Sequence, residues 1–161
     1  AMEALNVQIM PVKTVPPPRG KHFAFEAWNI AWWKIQIWTL TQYDQLIWLD
    51  SDSILTRSID WLFERQGMWA QRDDWFCQMN QEKVCSGIML LQPTMSDYDG
   101  ILKFGETADL SHGDQQVIAA YFQAVNRPIQ LLSDLEASFG QCIGTARTPY
   151  LNKDKSVVRG S

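Results

Sequence analysis

Three features of the sequence predict an α/β fold in which a sheet is flanked by helices. Short apolar runs of strand length recur, longer stretches carry apolar residues at helical spacing, and the two kinds alternate along the chain. At 161 residues the chain has the length of one domain and enough material for a real core, so residues 1–161 are read as a single domain.

Residues 5–15 alternate loosely, are rich in β-formers, and predict a strand that runs into the breaker Pro16-Pro17-Pro18-Arg19-Gly20. Across residues 25–42, Ile30, Trp33, Ile37 and Leu40 form a stripe broadened by Ala27, Ala31 and Trp38, which predicts one α-helix. Leu46, Ile47, Trp48 and Leu49 read as a core strand ending at Asp50, with residues 53–55 as a short continuation. Residues 59–66 predict a short helix capped by Ser58. Residues 68–83 mix polar and aromatic side chains without a clear period and predict no element, whereas residues 84–91 read as a buried strand closed by Pro93. Thr94 and Asp97 stand at capping-box spacing, so residues 94–104 predict a helix. A second helix, residues 112–124, opens on Gly113-Asp114 and carries Val117, Ile118, Tyr121 and Phe122 on its apolar face. Residues 129–132 predict a short strand, and from Ser133 onward the composition is that of loop.

The bulk numbers exclude several functions. A net charge of -4 without a basic run points away from nucleic acid and from an anionic membrane surface. The longest apolar stretch, residues 24–40, is interrupted by Glu26, Asn29, Lys34 and Gln36, so no direct membrane insertion is expected. No basic-then-apolar leader is present, but Ala1-Met2 reads as an added or internal start, and the compartment stays open between cytoplasm and Golgi lumen. Cys77, Cys85 and Cys142 lack zinc spacing and are odd in number; they read as small buried residues, with one bridge open to them in a secretory compartment.

The chemistry concentrates between Tyr43 and Asp52. The strand delivers Asp50 and Asp52 at its carboxyl end, the edge where open α/β sheets bind ligands. Two residues apart in extended geometry, both carboxylates point to one side with Ser51 opposite. Such a pair repels unless something positive sits beside it, and a hard divalent cation is the natural partner for oxygen donors. Asp-x-Asp is common, however, and on spacing alone two solvated turn residues are the ordinary outcome.

The wider context changes that balance. Lys34, the hydrophobic stretch after it, Leu40-Thr41-Gln42-Tyr43-Asp44, the strand, Asp50-Ser51-Asp52 and Ile59-Asp60-Trp61-Leu62-Phe63 resemble, in order, the glycogenin-like glycosyltransferases. These form the retaining family numbered eight, which uses nucleotide-sugar donors. Further on, Ser86-Gly87-Ile88-Met89 resembles the family's Asn-Ser-Gly-Val strand, and Gly113-Asp114-Gln115-Gln116 resembles its Gly-Asp-Gln-Gly. The resemblance runs from about Val7 to about Val158.

It implies a GT-A-like (Rossmann-like) sheet in which Asp50 and Asp52, the DxD pair, end a central strand. It also implies a metal-dependent hexosyltransferase that moves a hexose from a UDP-sugar to a carbohydrate or protein hydroxyl with retention. By the same resemblance Asp50 and Asp52 hold the metal, Mn2+ or Mg2+. Lys34 contacts donor phosphate or sugar, where its charge would offset the leaving group, although a helical lysine ordinarily snorkels to solvent. Asp114 and Gln115 lie at the anomeric face of the donor sugar; the ordinary alternative for Asp114 is a carboxylate favoured by the helix dipole. Ser86 and Gly87 let the sugar approach a strand closely.

Three departures favour a competing class, a non-catalytic relative serving as a structural or interaction subunit. The family's two opening strand-helix units, which hold uridine and ribose, have no counterpart before Leu5, so association with such segments or with a partner chain is expected. Cys85 replaces an asparagine. Val157-Val158-Arg159 stands where the family has Val-Val-His, and arginine cannot ligate a metal; His22 and His112 do not match either. Of the eight tryptophans, Trp69 and Trp75 lie in the irregular stretch, where a sugar acceptor would stack, and the others read as core.

Overall fold

The apolar run Leu46–Leu49 forms β1, one of four strands that the described residues build into a single mixed sheet in a computed structural model. The structure describes residues 7–18, 23–73, 83–108 and 113–138. The remaining strands are β2 (Trp69–Arg72), β3 (Val84–Leu91) and β4 (Gln130–Leu131), in the spatial order β1-β3-β2-β4. β3 pairs antiparallel with both β1 and β2, while β2 and β4 run parallel. Among the described residues three α-helices flank the sheet: α1 (Glu26–Ala31), α2 (Met95–Gly105) and α3 (Asp114–Ala124). The fold is therefore α/β with a helix-flanked sheet, as the alternation of patterns predicts.

Strand alternation divides the core between the two faces of the sheet. Leu46, Trp48, Ala70, Met89 and Leu91 face the larger cluster, where Trp38, Ile101, Val117, Ile118 and Phe122 pack from the helices. Ile47, Trp69 and Ile88 face a smaller cluster built on Leu62, Leu132 and Ala137. The Thr94 hydroxyl accepts the Asp97 N–H at 3.0 Å and caps α2. The Asp97 carboxylate does not close the capping box; it turns inward, accepting both Arg127 guanidinium nitrogens at 2.7 and 3.1 Å and the Tyr121 hydroxyl at 3.0 Å.

Five expectations are corrected. Among the described residues of 5–15 no strand forms, and Val7, Ile9, Met10 and Val12 stay exposed. Instead of a neighbouring strand, the segment meets the Gln36 side-chain amide, which accepts from the Lys13 N–H at 3.2 Å and donates to its carbonyl. Residues 53–55 form no strand either, with Ile54 and Leu55 open to solvent. A strand, β2, does form in the stretch expected to be irregular, where Ala70 and Gln71 are buried under the sheet faces. β1 lies at the edge of the described sheet rather than at its centre, because β3 is its only strand partner among the described residues.

The fifth correction concerns the long helix predicted over residues 25–42. The α-helical part ends at Ala31, and Trp32–Thr39 continues as a 3-10 helix of eight residues. With three residues per turn, positions three apart share a face. Trp32, Ile35 and Trp38 are each 0% exposed, whereas Ile30, on the stripe read at α-helical spacing, is 60% exposed. Burial thus follows the tighter period, and Lys34 is carried into the interior beside Ile35. Ile35→Ala should cost about 2–5 kcal/mol in urea unfolding, while Ile30→Ala should stay within about 0.5 kcal/mol. A larger cost at Ile30 than at Ile35 would mean that burial follows the α-helical stripe instead.

Candidate active site

Asp50 follows the last residue of β1, and its backbone is fixed from both sides. Its N–H donates to the Gly87 carbonyl at 2.8 Å, extending the β1–β3 ladder by one rung, and its carbonyl accepts the Ser53 N–H at 2.9 Å in a tight turn. Opposite it, β3 is bulged. Ala70 pairs with Met89 but the next residue, Gln71, pairs with Cys85, so Ser86, Gly87 and Ile88 have no partner on β2. Such bulges re-aim side chains next to sites, and here Ser86 is turned inward and buried.

Lys34 reaches this point from the 3-10 helix. Its ammonium is buried and lies 3.0 and 3.2 Å from the two Asp50 carboxylate oxygens, 3.0 Å from Ser86 Oγ, 3.4 Å from the Ser86 carbonyl and 3.5 Å from Asp114 Oδ2. An unpaired buried ammonium would be prohibitively costly; two carboxylates and a hydroxyl make it tenable. Asp114 arrives from the first turn of α3, where the helix dipole favours a negative charge. Gly113, at φ 81°, provides the turn that directs it there, and a side chain at that position would also press on Trp28, 3.3 Å from where its Cβ would stand. Ser86 Oγ donates its one proton to Asp114 Oδ2 at 2.7 Å while accepting from Lys34, so its only proton is committed inside the protein.

The predicted residues do not all converge. Lys34, Asp50, Ser86 and Asp114 form one network, buried except for the partly exposed Asp50. Asp52, two residues beyond Asp50 in the turn, is exposed and has no hydrogen-bond partner among the described residues. Both Asp50 and Asp52 line one cleft of about 1000 Å³ with Lys34, Trp33, Met10 and Val12. Gln115 points elsewhere, because adjacent helical residues diverge by about 100°. Its amide donates to Asp73 Oδ2 at 2.9 Å, and both residues line a second cleft of about 580 Å³ with Trp28, Lys83 and Gln116. A Cβ on Gly87 would stand 3.5 Å from Cys85 Sγ and 3.6 Å from Asp50 Oδ2, ordinary contacts, so the protein alone does not require glycine there.

Sequence reasoning missed Asp73 and Trp48. Asp73 carries no motif of its own, and only its hydrogen bond to Gln115 marks it. Trp48 reads as a core residue, yet its indole N–H donates to Asp50 Oδ1 at 2.7 Å. Trp69, considered as an acceptor platform, belongs to β2, and its ring is covered by the Arg65 guanidinium at 4.1 Å. His22, Trp75, Cys77, His112, Cys142 and Val157-Val158-Arg159 lie outside the described residues. Among the described residues, no group of three or more His, Cys, Asp or Glu gathers around a common point, and no helix is long and apolar enough to cross a membrane.

No protein-family model matches the chain. Individual relatives do, and they are glycosyltransferases. The chain is 27% identical to UDP-glucuronate:xylan alpha-glucuronosyltransferase 1 of Arabidopsis thaliana over 75% of its own length and 17% of that protein's. It is 33% identical to glycogenin-1 of Mus musculus over 55% of its length and 26% of glycogenin's, and 26% identical to galactinol synthase 2 of Solanum lycopersicum over 71% and 43%. The chain is thus a homologue, at 24–33% identity over part of its length, of members of glycosyltransferase family 8, and these relatives imply a GT-A-like fold. It spans less than half the length of the curated relatives it matches.

Cys85, at the asparagine position of the family motif, is a free thiol next to this network. Burial pushes its pKa up from 9.0 to about 11, against the smaller lowering effect of the Gly87 N–H that donates to its sulfur. At pH 8 its peptide should therefore be alkylated by iodoacetamide about a hundredfold more slowly than an ordinary free thiol, read by mass spectrometry. Because the folded pKa is raised, the stability this group contributes is complete below pH 9 and is lost as pH rises toward about 11. Rapid labelling of Cys85 in the folded chain would place it in the open.

Proposed function

We propose that this chain carries the sugar-handling part of a metal-dependent, retaining glycosyltransferase that moves a hexose from a UDP-sugar to a hydroxyl acceptor. The observation that carries the reading is the buried Lys34 ammonium held between Asp50 and Asp114 at the carboxyl end of β1, beside a cleft that also takes Asp52. Kinship to glycosyltransferases supports the same class, and one relative is named for a UDP-sugar donor.

The residues present fit a divalent cation. Asp52 keeps its carboxylate open, and Asp50 Oδ2 accepts only from Lys34, which leaves that oxygen an acceptor direction. Both are hard oxygen donors suited to Mn2+ or Mg2+, with the rest of the coordination left to donor phosphate and to groups outside the described residues. Such a cation, when bound, would neutralise charge on the diphosphate as a Lewis acid. Lys34 adds a fixed positive charge on the same side, where the departing diphosphate becomes more negative as the anomeric C–O bond breaks. Asp114, held by Ser86 Oγ and Lys34, presents negative charge toward the oxocarbenium-like carbon that develops at that moment. Ser86 acts in this reading by aligning Asp114 and Lys34 rather than by binding sugar itself. Gln115 and Asp73, in the neighbouring cleft, would recognise hydroxyl groups of a saccharide.

A second reading, a non-catalytic subunit that keeps the fold, draws on the two-carboxylate donor set among the described residues and on Cys85 in the asparagine position. Transfer assays on the intact protein with UDP-glucose, UDP-galactose and UDP-glucuronate separate the two. Asp52→Asn should abolish metal-dependent transfer with the fold intact, since it removes charge at constant size; undiminished transfer would put the chemistry elsewhere. Lys34→Ala should raise the barrier by about 2–4 kcal/mol, and it should also lower stability, because it leaves Asp50 and Asp114 without their cation. Asp114→Asn should reduce kcat more than it weakens UDP binding, as expected of a group acting at the sugar. An enzyme that tolerates all three substitutions would favour the non-catalytic reading.

A further inference from the structure

The tryptophan two residues before the first carboxylate touches both members of the Lys34–Asp50 pair. Trp48 is half-buried on β1, paired in register with Met89 and packed on the larger core cluster. Its indole N–H donates to Asp50 Oδ1 at 2.7 Å, and the Lys34 ammonium lies 5.7 Å from the centre of its ring. One side chain thus offers a hydrogen bond to the anion and a π-face to the cation. Oδ1 accepts from both Trp48 and Lys34, at 2.7 and 3.0 Å, which uses its acceptor directions. Oδ2 accepts from Lys34 alone, at 3.2 Å. The asymmetry decides which carboxylate oxygen is left for a ligand in the cleft.

We infer that Trp48 is a positioning residue of the site: its indole fixes the Asp50 carboxylate so that Oδ2 stays available to a divalent cation, and its ring keeps Lys34 beside that carboxylate. The inference rests on the metal reading proposed above. Without the N–H, Asp50 is held by Lys34 alone and turns about its side-chain bond. A cation entering the cleft then competes with an ammonium that can follow either oxygen. Groups that orient a metal-binding side chain from behind typically affect metal affinity by about 10–100-fold. A tryptophan that served only to fill space between sheet and helices would not.

The test uses the full chain labelled with 15N at tryptophan, the Trp48 indole resonance being the one lost in Trp48→Phe. In metal-free protein, Asp50→Asn should move that resonance upfield, toward a weaker hydrogen bond, and Asp52→Asn should leave it in place. Mn2+ binding in the presence of UDP, followed by electron paramagnetic resonance, should weaken about tenfold in Trp48→Phe, which keeps a ring, and more in Trp48→Leu, which keeps neither donor nor ring. Thermal unfolding of the same variants separates folding from binding, and Trp48→Phe decides alone if the leucine variant does not fold. Wild-type Mn2+ affinity in a folded Trp48→Phe overturns the inference. Absence of Mn2+ uptake by the wild type overturns the metal reading instead; the metal-free arm then decides for Trp48, and a resonance indifferent to Asp50→Asn overturns its role.

Discussion

A single buried ammonium organises this structure. Lys34 is 8% exposed, and its charge is tolerable only because three separate elements bring oxygen to it: the end of β1 with Asp50, the bulge of β3 with Ser86, and the first turn of α3 with Asp114. Each of those local features departs from regular geometry or places a charge in the interior. Together they compensate one another, and none would be tenable without the rest. One cation among two carboxylates also leaves the network with a surplus negative charge, so a second positive group is welcome there.

The sequence made the carriers of charge legible but not the way they divide. Asp50 and Asp52 follow a strand of unmistakable apolar character, Lys34 interrupts an otherwise apolar face, and Asp114 follows a glycine at a helix start; all three signals survive in the structure. The bounds of β3 and the Thr94 cap match the pattern as well, because a continuous apolar run and a capping hydroxyl are local properties. Spacing alone treats Asp50 and Asp52 as equivalents, however. The fold makes one an internal counter-ion and leaves the other open to solvent. It also separates Asp114 from Gln115, neighbours in every motif, placing one in the buried network around Lys34 and the other on a cleft.

What stayed illegible depends on contacts between distant segments. The bulge of Ser86, Gly87 and Ile88 leaves no mark in composition, since it is a mismatch between β3 and β2 rather than a property of either. β2 itself is half polar, and its burial comes from the strands beside it. The segment before Val15 has the alternation of a strand but no strand to pair with among the described residues, and a side-chain amide takes over that role. The helical stripe misled for a different reason: apolar residues are dense enough between Phe25 and Leu40 that periods of 3.0 and 3.6 both find matches.

That choice of period has a consequence for where the positive charge can go. A 3-10 helix turns about 120° per residue and an α-helix about 100°. With Trp38 anchored in the core, the four residues back to Lys34 would therefore differ in direction by about 80° between the two windings. An α-helix presenting the same residues would swing the ammonium away from Asp50 while Trp38 kept its seat. The lysine's address is thus written in the pitch of the backbone as much as in its identity. Transplanting these side chains onto a regular helical scaffold would reproduce the motif and lose the charge pair.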